Sequence, residues 1–181
     1  MPTATPQNFT ALRLDDFLPL LHREDMTDQD MVAYQIRCML QPGQPNPSVE
    51  TLLHAFIPAP HIYHTHADAI CALLDVPDSR SILQDVYGER IGVVPYRRPG
   101  FALAKLVSQE VHEQRDIEAL FLDKHGLVTW GESAEEAYVK TVQAVHKAEK
   151  FATTKKIQNG WTAPTQGVDL RRHRHYDYAV R

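Results

Sequence analysis

Residues 60–74, PHIYHTHADAICALL, decide how the rest of the sequence is interpreted. Two histidines, His64 and His66, flank a single threonine directly before an apolar run. Side chains two residues apart point to the same face of a β-strand, whereas in a helix they point to opposite sides. The pair is therefore a candidate metal site only if the segment is extended, and the preceding Ile62 and Tyr63 favour a strand. The alternative is a surface strand with two ordinary histidines.

Two further segments strengthen the metal interpretation. Upstream, Glu50 and His54 lie four residues apart and so share one face of a predicted helix. They form either a surface ion pair or a site in which the Glu50 carboxylate points at the metal. Downstream, His125 precedes a glycine at a predicted hairpin tip or strand end. A plain turn histidine is the alternative there. Three neutral imidazoles would leave a coordination position of zinc open, which is typical of catalytic sites.

The rest of the chain predicts strands and helices without strict alternation, and so a sheet with some antiparallel pairing and helices packed against it. Strands are predicted in HIYHTH, RIGVVPY and the two halves of EALFLDKHGLVTWG. Helices are predicted in TDQDMVAYQIRCML, VETLLHAFI, ADAICALLDV, FALAKLVSQEVHEQ and SAEEAYVKTVQAVHKAEKFA. The predicted apolar face of the first helix is Met31, Val32, Ile36, Met39 and Leu40, and that of the last is Tyr138, Val142, Val145 and Ala148.

Composition narrows the class of protein. A chain of 181 residues, 43% hydrophobic, is long enough for one domain with a real core. The net charge of −4 gives no support for nucleic acid as a partner, and no run approaches the roughly 18 apolar residues of a membrane span. The N-terminus lacks a secretion signal, and Cys38 and Cys71 are expected to be buried reduced thiols. These features predict a cytoplasmic enzyme or binding protein.

The chain is expected to divide near residue 155. Residues 1–154 carry the periodic pattern of a folded domain, and residues 155–181 form a basic segment with little apolar periodicity. We expect that segment to be a solvated, poorly ordered tail. The RRHRH run within it suggests a metal or acidic partner as the alternative.

Four segments together, PSVETLLH, HTHADA, VVPYRRPG and DKHGLVTWGESAEEAY, resemble the class II aldolase/adducin family over roughly residues 45–152. The resemblance is strongest to the aldolase portions of bifunctional rhamnulose-phosphate aldolase/lactaldehyde dehydrogenase proteins. It implies an α/β fold in three layers, with a central, largely antiparallel sheet covered by helices. It also implies a homo-oligomer, usually a tetramer.

The resemblance also implies roles for individual residues. His64, His66 and His125 would bind a divalent metal, usually zinc, Glu50 would be the general acid/base, and Ser48 would help to hold the substrate phosphate. Zinc as a Lewis acid makes a Schiff-base lysine unnecessary. The implied reaction cleaves a ketose 1-phosphate of the rhamnulose or fuculose type to dihydroxyacetone phosphate and an aldehyde. The expected partner is thus a small sugar phosphate, with no nucleic acid or membrane.

The sequence departs from the family pattern before Ser48. The 47 residues that precede it contain one glycine, Gly43, and no glycine/asparagine/serine turn of the kind that grips phosphate in family aldolases. The missing turn is explained by a shortened N-terminal region, by a fragment of a family protein, or by a divergent member of the family. The sequence also has no glycine-rich dinucleotide-binding motif after a predicted strand. Tyr87 lies in the region of a tyrosine that donates a proton across subunits in some family enzymes, although a packing role is favoured.

Three alternatives to an active aldolase therefore stay open. In place of an active aldolase, the chain would be catalytically impaired but metal-binding, a non-catalytic adducin-like domain, or a sugar-phosphate epimerase. Adducin-type members lose the metal histidines, so the presence of all three with Glu50 favours an enzyme. The same histidines occur in the epimerases, so they do not separate an epimerase from an aldolase.

Overall fold

The sequence folds into the expected mixture of short strands and helices. The computed structural model describes residues 5–158, with side chains described for residues 5–154. The strands are β1 His61–Thr65, β2 Ile91–Val94, β3 Ala119–Leu122 and β4 Gly126–Gly131. The helices are α1 Asp28–Arg37, α2 Thr51–Phe56, α3 Asp68–Leu74, α4 Ser79–Tyr87, α5 Phe101–Glu113 and α6 Ala134–Gln158. Short 3-10 turns at Pro6–Asn8, Leu14–Asp16 and Leu18–His22 precede α1.

The chain forms two compact units. The first takes its residues from Met1–Pro58 and Arg97–Glu113, and the second from Ala59–Tyr96 and Gln114–Arg181. Helix α6 continues to Gln158, past the predicted domain boundary at residue 154. The rest of the predicted tail, with its RRHRH run, lies outside the described residues. Among the described helices, none is both long and apolar enough to cross a membrane.

The second unit contains a four-stranded sheet in the order β1-β4-β3-β2. β4 pairs antiparallel with both β1 and β3, while β2 and β3 run parallel. β3 is buried along its whole length, as the apolar run ALFL requires. Helices α3, α4 and α6 pack against these strands around Phe121, Leu127 and Ile70. The expected α/β fold, with a largely antiparallel sheet covered by helices, is confirmed.

Helix α6 packs through only part of the predicted apolar face. Among its described side chains Ala137, Ala144 and Ala148 are buried, whereas Tyr138 and Val142 are 54% and 47% exposed. Alanine side chains let the helix approach the sheet closely, and larger side chains at these positions would hold it away. The prediction was therefore correct for Ala148, and for Val145, which is partly buried against the core, but wrong for Tyr138 and Val142.

The first unit is helical, with α2 packed on α5. Thr27 caps α1 by accepting a hydrogen bond of 3.1 Å from the Asp30 amide. The predicted apolar face of α1 was correct for Met31, which is buried, but wrong for Val32 and Ile36, which are 38% and 45% exposed. Gln35 and Cys38 are buried together with Met31, so the buried face runs through positions 31, 35 and 38. Helix α4 in the second unit had not been predicted at all.

Gln35 gives a stability prediction. Its side chain is 1% exposed, and neither amide atom has a hydrogen-bond partner within the described part of the chain. A buried amide without partners keeps its desolvation cost, so Gln35→Met is expected to raise the free energy of unfolding by about 1–2 kcal/mol. Urea denaturation would measure the change. Gln29→Met, at an exposed position of the same helix, is the control and should stay within about 0.5 kcal/mol of wild type. A less stable Gln35→Met protein would contradict the prediction.

Candidate metal centre

His64 is held in one orientation by the strand that pairs with β1. It is 2% exposed, and its Nδ1 lies 3.0 Å from the carbonyl oxygen of Leu127 in β4. A carbonyl oxygen only accepts hydrogen bonds, so Nδ1 carries a proton and Nε2 is the nitrogen left to face a metal. Metal-binding histidines are typically fixed in this way, with one nitrogen donating to an outer acceptor and the other facing the metal.

His66 lies just beyond the last residue of β1, on the same side as His64. The Nε2 atoms of the two rings are 2.8 Å apart, and the ring centroids are separated by 4.6 Å. Two lone pairs at this distance would repel each other, so a proton or a cation must lie between them. The extended segment that the sequence predicted therefore does present the two imidazoles side by side.

His125 reaches the same point from the turn between β3 and β4. Its ring centroid is 5.0 Å from that of His64 and 4.8 Å from that of His66. One potential ligand nitrogen of each of the three rings lies within 4.8 Å of those of the other two. The structure thus brings together three histidines that the sequence placed in separate segments.

The turn that carries His125 is fixed by several hydrogen bonds. The His125 amide donates to the Leu122 carbonyl at 3.0 Å, and the Asp123 amide donates to the Val94 carbonyl of β2 at 2.9 Å. The Ser79 hydroxyl donates to the Asp123 carboxylate at 3.3 Å. Lys124 adopts the left-handed conformation, with φ 54°, which is uncommon for a side chain of this size. These constraints fix the backbone from which His125 projects.

Cys71 supports the same turn, a role that the sequence did not reveal. Its thiol donates to the His125 carbonyl at a sulfur–oxygen distance of 3.5 Å. Burial, and secondarily the carboxylates of Asp75 and Asp68, raises the pKa of the Cys71 thiol above its ordinary value. The thiol is therefore protonated at neutral pH and able to donate this hydrogen bond. Both cysteines are free, although only Cys38 is fully buried.

Three neutral imidazoles that converge in this way fit a divalent cation. Nitrogen donors suit a borderline ion such as zinc, and a three-histidine set leaves at least one position for an oxygen ligand. The hydrogen bond from His64 Nδ1 turns the His64 Nε2 toward His66, so both rings direct a nitrogen to the same point. The residues that the sequence predicted as ligands are therefore able to hold such an ion.

Glu50 and Ser48 lie at the start of α2. Glu50 directly precedes the helix and is 6% exposed, whereas Ser48 is exposed. The Ser48 hydroxyl accepts a hydrogen bond of 3.2 Å from the Glu50 amide, and the Ser48 carbonyl accepts one of 3.1 Å from Thr51. These bonds form the turn that presents Glu50. The acid/base role of Glu50 and the phosphate-binding role of Ser48 stay predictions.

Tyr87, the candidate proton donor, packs within the second unit. Its hydroxyl donates to the Ala144 carbonyl at 2.7 Å, and its ring centroid is 4.6 Å from that of Phe121. Burial raises the pKa of this phenol well above its ordinary value. The packing role that the sequence favoured is the one observed.

Known proteins resemble the chain in both sequence and structure. It is 44% identical over 151 residues to a protein of Bacillus subtilis named uncharacterized oxidoreductase YuxG, a match that covers 83% of this chain. It is 29% identical over 124 residues to the L-fuculose phosphate aldolase of Methanococcus vannielii, covering 64% of this chain. A solved structure, the N-terminal class II aldolase domain of a conserved Thermoplasma acidophilum protein, matches with a TM-score of 0.76 and 38% identity. That match covers 83% of this chain and 69% of the other.

The family follows from a match that extends over most of the described residues. The chain spans only 22% of the length of the Bacillus relative and 65% of the Methanococcus one. Residues 20–151 match the model of the family described as Class II Aldolase and Adducin N-terminal domain. This stretch includes Glu50 and all three converging histidines. The chain therefore belongs to the class II aldolase and adducin N-terminal domain family.

Proposed function

We propose that this chain is a metal-dependent aldolase domain that cleaves a ketose 1-phosphate of the rhamnulose or fuculose type. The products would be dihydroxyacetone phosphate and an aldehyde. The observation that carries the proposal is the convergence of His64, His66 and His125, with ligand nitrogens within 4.8 Å of one another. The name of the Methanococcus relative, an L-fuculose phosphate aldolase, supports the class of substrate.

The proposed mechanism assigns a task to each of the predicted residues. A bound zinc ion would supply Lewis-acid polarisation of the substrate's carbonyl and hydroxyl oxygens. The three histidines would hold the ion, and the Leu127 carbonyl would keep the His64 ring turned toward it. Glu50, a buried carboxylate, would take the proton from the substrate hydroxyl as the carbon–carbon bond breaks and return it to the dihydroxyacetone carbon. Ser48 would donate a hydrogen bond to the phosphate.

A retro-aldol assay tests this function. Purified protein loaded with zinc would be incubated with L-fuculose 1-phosphate and, separately, with L-rhamnulose 1-phosphate, and aldehyde release would be measured. Release from either substrate supports the proposal. Folded, zinc-loaded protein that releases none contradicts it and favours the impaired, metal-binding alternative. Interconversion of ketopentose 5-phosphate epimers, followed by nuclear magnetic resonance, would identify an epimerase instead.

The name of the Bacillus relative does not alter the proposal. This chain matches 22% of that protein, so an oxidoreductase activity has no necessary connection with the matched part. No glycine-rich dinucleotide fingerprint follows a strand in this sequence. A lyase assay is therefore the first test, and an oxidoreductase assay is not.

We further propose a homo-oligomer that works in the cytoplasm on a small-molecule substrate. Both cysteines are free thiols, which suits a reducing compartment. The net charge of −4 gives no basis for a nucleic-acid partner. Light scattering after size-exclusion chromatography would measure the mass of the assembly, and a monomer at micromolar concentration would contradict the oligomer.

A further inference from the structure

Gly126, the first residue of β4, approaches the metal centre more closely than a side chain would allow. A Cβ atom built at this position lies 2.6 Å from the Thr65 carbonyl oxygen, 2.7 Å from Cδ2 of His66 and 3.1 Å from Cε1 of His64. Nonbonded carbon atoms normally stay about 3.5–4.0 Å apart. Two of these three contacts are with the rings of predicted ligands, and the third is with the backbone that joins them.

The requirement for glycine at this position is one of space. Gly43, Gly88 and Gly100 are the glycines with positive φ among the described residues, so the backbone of Gly126 is accessible to any residue. Its neighbour Lys124 takes the left-handed position of the turn instead. Alanine at 126 would therefore keep its backbone conformation and push directly on His64 and His66.

We propose, on the basis of the metal site proposed above, that Gly126 is a positioning residue for the three-histidine centre. It lets β4 lie close enough to the end of β1 for the His66 ring to stay beside His64, while His125 enters from the adjacent turn position. The displacement that alanine demands is several tenths of an ångström at Thr65 and His66, since both distances are below 3.0 Å. A shift of this kind separates ligands that must meet at one ion.

Gly131, at the other end of β4, provides a matched control. A Cβ atom there lies 2.9 Å from the Ala137 amide nitrogen and 2.9 Å from Cβ of Glu136, so the clash is of similar severity. It pairs with His61, at the end of β1 away from His66. Gly131→Ala therefore strains the same strand without pressing on a ligand.

Titration with Co²⁺ tests the proposal, with visible absorption as the readout and thermal unfolding measured in parallel. Gly126→Ala is expected to lower Co²⁺ affinity about 10- to 100-fold and to alter the absorption spectrum. Gly131→Ala is expected to lower the melting temperature but to keep wild-type affinity and spectrum. Wild-type affinity and spectrum in Gly126→Ala would overturn the inference, as would an equal loss of affinity in Gly131→Ala. Wild-type protein that binds no Co²⁺ would overturn the proposed metal site itself, and the inference with it.

A second variant decides the outcome if Gly126→Ala does not fold. Gly126→Ala/His66→Ala removes the ring whose Cδ2 would lie 2.7 Å from the new methyl group. Folding of the double variant supports the inference, because contact with the ligand is then the cause of the failure. If the double variant also fails to fold while His66→Ala folds, the inference is overturned, since the strand itself then requires the glycine.

Discussion

Replacing His64 by alanine is expected to abolish stoichiometric zinc binding. His64 is buried, its Nδ1 is committed to the Leu127 carbonyl, and its Nε2 faces His66 at 2.8 Å. Loss of one outer contact to a ligand typically lowers metal affinity 10- to 100-fold, so loss of a ligand should lower it by more than about 100-fold. Elemental mass spectrometry of purified protein would show about one zinc per chain in wild type and almost none in His64→Ala.

His125→Ala should behave in the same way, although His125 comes from a different strand pair. Its ring centroid lies about as far from those of His64 and His66 as these two lie from each other, at 5.0 and 4.8 Å against 4.6 Å. An equal loss from both variants would show that the two segments contribute to one site. A loss from His64→Ala alone would indicate a two-histidine site with other ligands.

His61→Ala is the control for both variants. His61 belongs to the same strand as His64 but, being three residues away, lies on the opposite face. Its replacement should leave about one zinc per chain. Zinc retained in His64→Ala, or lost from His61→Ala with the fold intact, would contradict the three-histidine site. Circular dichroism of each variant separates loss of a ligand from loss of structure.

The pairing of His64 and His66 could be predicted because it depends only on residues that are neighbours in the sequence. A strand alternates its side chains, so the spacing of His64 and His66 was enough to predict that they share a face once the segment was interpreted as extended. The third ligand was different. Nothing in the spacing connects His125 to residues 64 and 66. Its place before a glycine made it a candidate third ligand, and the resemblance to a family supported that choice.

The predictions that failed depended on packing between elements. In α1 the predicted face joined Met31 to Val32 and Ile36, whereas the residue buried beside Met31 is Gln35. Hydrophobic periodicity could not have predicted this face, since Gln35 is an amide. In the sequence, Gly126 was only the residue after a histidine, because the atoms that exclude a side chain there belong to β1 and to His66, which follows it. Contacts of this kind come from strand pairing, and the sequence of either strand alone does not contain them.

Replacing Glu50 by glutamine is expected to stop catalysis without removing the metal. Glutamine has almost the same shape, so it should keep the buried position at the start of α2 and the hydrogen bond from the Glu50 amide to Ser48. It cannot accept the substrate proton, and loss of a positioned general base typically lowers the rate about 10²- to 10⁴-fold. The measurement is aldehyde release under saturating zinc, together with the zinc content of the same preparation.

Glu132→Gln provides the matched control, because Glu132 is an exposed carboxylate between β4 and α6. Its replacement should leave both rate and zinc content at wild-type values. Full activity in Glu50→Gln would assign the proton transfer to another group and contradict the proposed role. Loss of zinc together with activity would instead make Glu50 a metal ligand. The expected result, zinc retained and activity lost, separates the group that moves the proton from the groups that hold the ion.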